Sequence, residues 1–216
     1  MATPRFDALL FDLDGTLVDS AEPIVAGLRL VCSRWQRPEP SEAELRSLIG
    51  VPLDASFASL GITAVDIPAA RDCYRRFWNE GGGRERTRLM AGAAELLAAL
   101  DSAGLTLAVV TAKVTAGGYQ TVRRFAIADH FGDRVFGHEP ADGPGKEGAL
   151  RRALASLPNH RHLLIGDALP DAEAAARCDT PFLWCRYGYG QAQRLQALPH
   201  VASIERLAAI ADFCLS

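Results

Sequence analysis

Two aspartates, Asp12 and Asp14, follow an apolar run near the start of the chain, in the segment FDLDGTLVDS. In an extended chain, side chains two residues apart project to the same side, about 6.5–7 Å apart. Carboxylates placed directly after apolar residues are costly unless they meet a cation or a hydrogen-bond network. The pair therefore indicates a cation site or acid–base chemistry, although a simple Asp-Gly turn at Asp14 also explains the second carboxylate.

Other polar side chains stand where further apolar runs end. Thr111 follows LTLAVV, and Lys146 opens the helical pattern after the next run. Asp167 follows HLLIG, and Asp171 lies shortly after it in GDALPD. Each has an ordinary explanation when taken alone, such as an N-cap for Thr111 or a solvated first-turn position for Lys146. Because the carboxyl ends of parallel strands meet at one crevice, their order along the chain predicts a single site.

The residue types in this set suit phosphate and a hard cation. Mg²⁺ prefers a few oxygen ligands and usually keeps several waters. Phosphate is bound by a cation, a hydroxyl and free backbone N–H groups at strand-to-helix turns. Lys146 would also offset the repulsion among the three acidic side chains of Asp12, Asp14 and Asp167. The sequence thus predicts a site for Mg²⁺ and a phosphate group.

Alternating apolar and helical patterns predict the fold that positions these residues. Strand-like runs occupy 5–11, 105–110, 162–166 and 181–185, with weaker candidates at 135–136 and 201–204. Helical patterns occupy 91–102, 115–125, 146–157, 171–177 and 204–213. Continuous apolar strands separated by helices predict an α/β fold, a Rossmann-like doubly wound parallel sheet with helices on both faces.

Residues 20–85 interrupt this alternation. They carry apolar residues at helical spacing, turn signals rich in glycine and proline, and no clear strand. An insert of this size is too large for a simple connecting loop. We therefore predict an all-helical cap at 20–85, inserted after the first strand, and an α/β core at 1–19 and 86–216, with hinges near Ser20 and at 81–84. The cap is expected to close over the site.

Composition narrows the expected partners and location. The net charge is −3, so a broad electrostatic footprint for nucleic acid is not expected. No stretch approaches the roughly 18 apolar residues of a membrane span. Two acids come too early for a signal peptide, and the five cysteines form no CxxC pair. We expect a cytoplasmic protein, a monomer or dimer, with no nucleic-acid or membrane partner.

The ordered motifs resemble those of the haloacid dehalogenase-like (HAD) hydrolase superfamily, and within it the phosphoglycolate phosphatase-like members. The resemblance extends from Phe6 to about Phe213, and MAGAAELLAALDSAGLTLAVVTAK and WCRYGYG are similar to further signatures of the group. The matching positions are Asp12, Asp14, Gly15 and Thr16 for the first motif, Thr111 for the second, Lys146 for the third, and Asp167 and Asp171 for the fourth.

The resemblance implies roles for the acidic residues. Asp12 would be the nucleophile that becomes an aspartyl-phosphate. Asp14 would act first as the general acid for the leaving oxygen and then as the base that activates water. Mg²⁺ would bind the Asp12 carboxylate, the Asp14 backbone carbonyl and Asp167, with Asp171 supporting its waters.

The resemblance also implies a phosphate-binding set and a substrate class. Thr111, the N–H of Ala112 and Lys146 would bind the phosphate oxygens. Ala112 stands where asparagine is frequent in the group, and Glu147 stands where proline often follows the lysine, which loosens the subfamily assignment. The implied substrate is a small phosphorylated metabolite, with phosphoglycolate as the first candidate.

Two other activities use a similar set of residues, and two more are disfavoured by the sequence. A sugar phosphomutase uses the same nucleophile, and Thr16 in DGT favours the phosphatase only weakly. A phospho-accepting receiver-like switch protein shares the acids, threonine and lysine but lacks the DxDGT order and the helical insert. Dehalogenation does not need Asp14 or Mg²⁺, and phosphonate hydrolysis would need a cap lysine, which residues 20–85 lack.

Overall fold

A computed structural model describes residues 5–143 and 145–215 of the chain. In chain order its strands are β1 (Ala8–Phe11), β2 (Val18–Asp19), β3 (Arg88–Leu89), β4 (Thr106–Val114), β5 (Val135–His138), β6 (His162–Gly166), β7 (Phe182–Cys185) and β8 (Ala202–Ile204). Its helices are α1 (Ala21–Arg34), α2 (Glu42–Ser47), α3 (Leu53–Ser59), α4 (Ile67–Glu80), α5 (Ala93–Ser102), α6 (Thr115–Arg124), α7 (Glu147–Ser156), α8 (Leu169–Arg177), α9 (Ala192–Leu195) and α10 (Ala209–Leu215).

A parallel sheet with the strand order β5-β4-β1-β6-β7-β8 forms the central layer. The central strand β1 is apolar and buried at every position because helices cover both faces of the sheet. Leu9 and Phe11 belong to the buried cluster that includes α5, whereas Leu10 belongs to the cluster that includes α7 and α8. The predicted α/β fold is confirmed, including the two weaker strands, which are β5 and β8.

The register of β1 places its last residue beside two neighbouring strands. Phe11 lies opposite Val109 of β4 and Ile165 of β6. Asp12 therefore follows β1 at the edge of the sheet where β6 ends at Gly166, and side chains from different strands can meet there. β4 does not end at Thr111 as predicted but continues to Val114, with a shift in its pairing with β5 between Val110 and Val114. Such irregularities redirect side chains at the edge of a sheet.

The helices α1 to α4 surround a buried cluster of their own, which includes Leu28, Leu45, Phe57 and Tyr74. The strands β2 and β3 form an antiparallel pair that joins the two connections between this helical segment and the sheet, with Val18 opposite Leu89. The segment between β2 and β3 contains the residues predicted as the cap.

The predicted first residue of one helix was wrong. The pattern at 204–213 predicts a helix from Ile204, but Ile204 pairs with Cys185 as the last residue of β8, and α10 begins at Ala209. The pairing with β7 takes Ile204 into the sheet despite its helical spacing.

Within the described ranges, none of the helices combines the length and the apolar character that crossing a bilayer requires.

The central position of β1 predicts a large cost for a cavity at Leu10, which is fully buried. Replacing Leu10 by Ala is expected to lower the free energy of unfolding by about 2–5 kcal/mol, because apolar contacts are lost and the cavity does not fully collapse. Urea unfolding followed by circular dichroism measures the change. The control is Val65→Ala, whose parent side chain is 89% exposed, with an expected change within about 0.5 kcal/mol. Equal effects of the two variants would contradict the sheet assignment.

Candidate active site

Charged side chains are buried at the carboxyl edge of the sheet. Asp12 follows β1, Asp167 follows β6, and Asp171 lies in the first turn of α8. Lys146 stands at the N-terminus of α7. All four residues are at most 1% exposed. Burial of so many charges requires that they compensate one another or bind a ligand.

Lys146 is the central cation of this cluster. Its Nζ lies 2.8 Å from Asp12 Oδ1 and 2.5 Å from Asp171 Oδ1. Burial alone lowers the pKa of Lys146, but the neighbouring carboxylates of Asp12 and Asp171 outweigh this effect and raise the pKa above its usual value. The ammonium group therefore stays charged at neutral pH.

Asp12 has one oxygen without a partner. Its Oδ1 faces Lys146, whereas its buried Oδ2 accepts no hydrogen bond from any residue that the structure describes. Burial raises the pKa of Asp12 well above its usual range; Lys146 opposes this, while Asp171 and Asp167 add to it. An unpartnered carboxylate oxygen in a polar crevice is available to a cation or to an electrophile.

Three carboxylates can share a divalent cation. Asp12, Asp167 and Asp171 each offer one oxygen, and these oxygens lie within 4.8 Å of one another. Together with the unpartnered Asp12 Oδ2, this set of hard oxygen donors fits Mg²⁺.

Two hydrogen bonds hold the Asp167 carboxylate in place. Thr16 Oγ1 donates to its Oδ1 at 3.0 Å, and the Tyr189 N–H donates to its Oδ2 at 2.7 Å. Burial, reinforced by the charge of Asp171, raises the pKa of Asp167 to about 7. Gly15 has φ +91°, and a Cβ there would overlap the Asp167 carboxylate, so both its conformation and the space require glycine.

Asp171 contacts Lys146 directly, whereas its predicted role is to support metal-bound water. Its Oδ2 accepts the Ala168 N–H at 3.0 Å, and its Oδ1 pairs with Lys146. Asp171 therefore orients Lys146 and caps the beginning of α8 at the same time. Its assignment as a residue that supports metal-bound water stays a prediction.

Asp14 faces different partners from Asp12. Its Oδ1 accepts a hydrogen bond from the Ser20 hydroxyl, and its Oδ2 pairs with the Lys113 ammonium group. Lys113 also lies 5.1 Å from the centre of the Trp78 ring on α4. The two aspartates of the first motif thus have separate positively charged partners.

Lys113 is a charged site residue that was not predicted from the sequence. The sequence does carry a signal for this residue. Lysine occurs only at positions 113 and 146 of the whole sequence, and the other basic residues are arginines and five histidines. Thr111 is 1% exposed, and its Oγ1 accepts the Lys113 N–H at 3.2 Å. The structure places Thr111 and the half-buried Ala112 in the irregular part of β4, and their phosphate contacts stay a prediction.

Residues 187–190, at the end of the WCRYGYG segment, form a loop beside Asp167 that is called the strap below. Tyr187 OH donates to the Thr16 carbonyl oxygen at 2.9 Å. Tyr189 OH donates to Asp19 Oδ1 at 2.7 Å and accepts the Ser20 N–H at 2.9 Å. Since the Tyr189 N–H also binds Asp167, the strap connects the acidic cluster to the start of α1.

Several known proteins are similar to this chain in sequence or in fold. A 5'-nucleotidase of Pseudomonas aeruginosa is 34% identical over 91% of this chain and 90% of its own. The tyrosine-protein kinase PtkA of Mycobacterium tuberculosis is 30% identical over 92% of this chain and 70% of its own. A phosphoglycolate phosphatase of Caulobacter vibrioides is 29% identical over 84% and 79%. The structure of a "predicted phosphatase" from Clostridium acetobutylicum superposes with a TM-score of 0.88 at 27% identity, covering 97% of this chain and 98% of that one.

The fold, the acidic site and the phosphatase-named relatives define a phosphoric monoester hydrolase. The family model described as haloacid dehalogenase-like hydrolase matches residues 9–185. The chain belongs to that family. The resemblance inferred from the motifs is confirmed, whereas the role of each site residue stays a prediction.

Lys146 balances the buried carboxylates, and its removal would leave them uncompensated. In metal-free buffer, Lys146→Met is expected to lower the free energy of unfolding by about 3–5 kcal/mol. Adding Asp12→Asn to this variant removes one of the stranded charges and is expected to restore part of the loss. Chemical unfolding of the two variants and the wild type measures both effects.

The control for this experiment lies on the same helix. Arg151 is exposed on α7 and pairs with Glu147, so Arg151→Met is expected to unfold close to the wild type. If Lys146→Met is as stable as the control, or if Asp12→Asn destabilises it further, the charge balance described here is wrong.

Proposed function

We propose that the protein is a Mg²⁺-dependent phosphatase that hydrolyses a small phosphomonoester through an aspartyl-phosphate on Asp12. The observation that carries this proposal is the state of the Asp12 carboxylate. One of its oxygens is fixed by Lys146, and the other is buried without a partner among the described residues. A nucleophile held by one oxygen and open at the other is ready to attack.

The proposed reaction has two steps. In the first, an Asp12 oxygen attacks phosphorus, the ester bond breaks, and Asp14 gives a proton to the leaving alcohol oxygen. In the second, Asp14 takes a proton from a water molecule whose oxygen attacks phosphorus, so that the bond to Asp12 breaks and phosphate leaves. Asp12 is again a carboxylate, and Asp14 again carries a proton. Lys146, Thr111 and the Ala112 N–H stabilise the negative charge on the phosphoryl oxygens.

The metal site proposed for this reaction uses the same buried acids. The Asp12 carboxylate, the Asp14 backbone carbonyl and Asp167 would hold Mg²⁺, and Asp171 would support its waters while orienting Lys146. When bound, Mg²⁺ neutralises charge between the carboxylate nucleophile and the phosphate, which otherwise repel each other. Thr16 and Tyr189 keep Asp167 in position through their hydrogen bonds.

The helical segment is proposed to act as a cap that excludes water and selects the substrate. Support comes from α4, whose Trp78 contacts Lys113 beside Asp14, and from the paired strands β2 and β3, which carry both connections to the segment. Motion of the cap about those connections would open and close the crevice.

The first candidate substrate is phosphoglycolate, supported by the phosphoglycolate phosphatase of C. vibrioides at 29% identity. The 5'-nucleotidase of P. aeruginosa supports a nucleoside 5'-monophosphate as the second candidate. We propose a cytoplasmic enzyme that acts as a monomer or dimer on such metabolites, without a nucleic-acid or membrane partner. The five cysteines, all free thiols in the structure, support a reducing compartment.

This function is tested by phosphate release from p-nitrophenyl phosphate and from a panel of phosphorylated metabolites. The wild type is expected to turn over many times with Mg²⁺ and to stop with a chelator. Asp12→Asn is expected to lower the rate by at least about a thousandfold, because the amide cannot act as the nucleophile. The matched control is Asp133→Asn, since the Asp133 side chain is 95% exposed and its removal is expected to leave the rate unchanged.

Three results would contradict the proposal. Asp12→Asn with the wild-type rate would exclude the aspartyl-phosphate. Unchanged release in the presence of chelator would exclude the metal dependence. Transfer of the phosphoryl group to a second position of a sugar phosphate, without phosphate release, would identify a mutase instead.

A further inference from the structure

Lys113 brings a second positive charge to the active site, at the junction of the sheet and the helical segment. It extends from the irregular end of β4 to the Asp14 carboxylate on one side and to the Trp78 ring of α4 on the other. Its side chain is 18% exposed, against 8% for Asp14. The ammonium group is thus largely enclosed, but a ligand in the crevice can reach it.

Both oxygens of Asp14 are already engaged in this structure. The Ser20 hydroxyl donates to one oxygen and the Lys113 ammonium group donates to the other. A general acid has to direct one oxygen to the leaving group, so the leaving oxygen competes with Ser20 or Lys113 for an oxygen of Asp14 during the reaction. The position of Asp14 therefore implies an exchange of partners when the substrate binds.

Lys113 is the partner that can move. Ser20 is fully buried at the beginning of α1, and its N–H is fixed by the Tyr189 hydroxyl. Lys113 carries its charge on a long flexible side chain. An enclosed ammonium group that leaves its carboxylate loses a strong interaction unless another anion replaces it.

We infer that the substrate supplies this anion: Lys113 binds a negatively charged group on the leaving alcohol, and the preferred substrates are phosphate esters of small hydroxy acids. The inference rests on the proposed function, in which Asp14 protonates the leaving oxygen. Because Lys113 touches Asp14, it lies beside the leaving alcohol, whereas Lys146 lies beside the nucleophile. A nucleoside presents no such anion to Lys113.

Arginines of the helical segment are less suited to this task. Arg46, Arg71 and Arg86 pair with Glu42, Asp54 and Glu22, respectively. Arg75 and Arg76 are exposed on α4. Lys113 differs from these because it contacts a carboxylate of the first motif directly.

The test compares two substrates that differ in one charge, phosphoglycolate and its neutral amide, phosphoglycolamide. The wild type is expected to show a higher kcat/KM for phosphoglycolate. In Lys113→Met the kcat/KM values for both substrates fall, since Asp14 loses a partner. The ratio of kcat/KM for phosphoglycolate to kcat/KM for phosphoglycolamide also falls, by on the order of 10- to 100-fold, the range for a lost charged hydrogen bond. Lys113→Arg keeps the positive charge and is expected to keep most of the ratio. Arg76→Met is the control for removing a cation from the helical segment, and it is expected to keep the ratio.

Several outcomes would overturn the inference. If Lys113→Met lowers kcat/KM equally for both substrates, Lys113 acts only through Asp14. If Arg76→Met removes the preference instead, the anion binds on α4. If the wild type prefers the amide or adenosine monophosphate, the leaving group carries no required charge, which is measurable even where Lys113→Met does not fold.

These outcomes are separable from a failure of the proposed function. Mg²⁺-dependent hydrolysis of p-nitrophenyl phosphate without a preference for phosphoglycolate over its amide overturns the role of Lys113 and leaves the phosphatase intact. Absence of hydrolysis for every phosphate ester tested would overturn both.

Discussion

The structure depends on the burial of Lys146 between Asp12 and Asp171. Its ammonium group lies within 2.8 Å of an oxygen from each carboxylate, and all three residues are shielded from water. Removing these charges from water is costly, so the geometry must be held by the elements around it. The register of β1 with β4 and β6 brings Asp12 to the edge of the sheet, α7 carries Lys146, and the first turn of α8 carries Asp171.

The charges of the site do not cancel within the protein. Four carboxylates, those of Asp12, Asp14, Asp167 and Asp171, are buried together with Lys146, and Lys113 is the second ammonium group in contact with them. If all of them are ionised, the acids exceed the lysines by two charges, the charge of one divalent cation. Burial raises the pKa values of Asp12 and Asp167, and the neighbouring carboxylates add to this effect, as expected where negative charges exceed positive ones. A Mg²⁺ ion would therefore supply the positive charge that this edge of the sheet lacks and that the binding of a phosphate requires.

Much of this arrangement follows from local sequence. The strands β1, β6 and β7 could be predicted because buried parallel strands are continuously apolar. Asp12 and Asp167 could be predicted as site residues because they directly follow such strands. Contacts between distant residues could not be predicted in this way. The pairing of Lys113 with Asp14 and the strap from Tyr189 to Ser20 join segments far apart in the chain, and only the folded sheet brings them together. The late beginning of α10 has the same origin, because the pairing of Ile204 with Cys185 outweighs its local helical pattern.

The proposed mechanism requires that Asp12 carries the phosphoryl group. Beryllofluoride mimics a phosphoryl group on a carboxylate, so ¹⁹F NMR of the protein with Mg²⁺ and beryllofluoride reads that position without turnover. We expect bound fluorine resonances in the wild type, their loss in Asp12→Asn, and their retention in Asp133→Asn, since the Asp133 side chain is exposed to solvent. Bound resonances that persist unchanged in Asp12→Asn would contradict this mechanism, because the phosphoryl group would then be held by another residue.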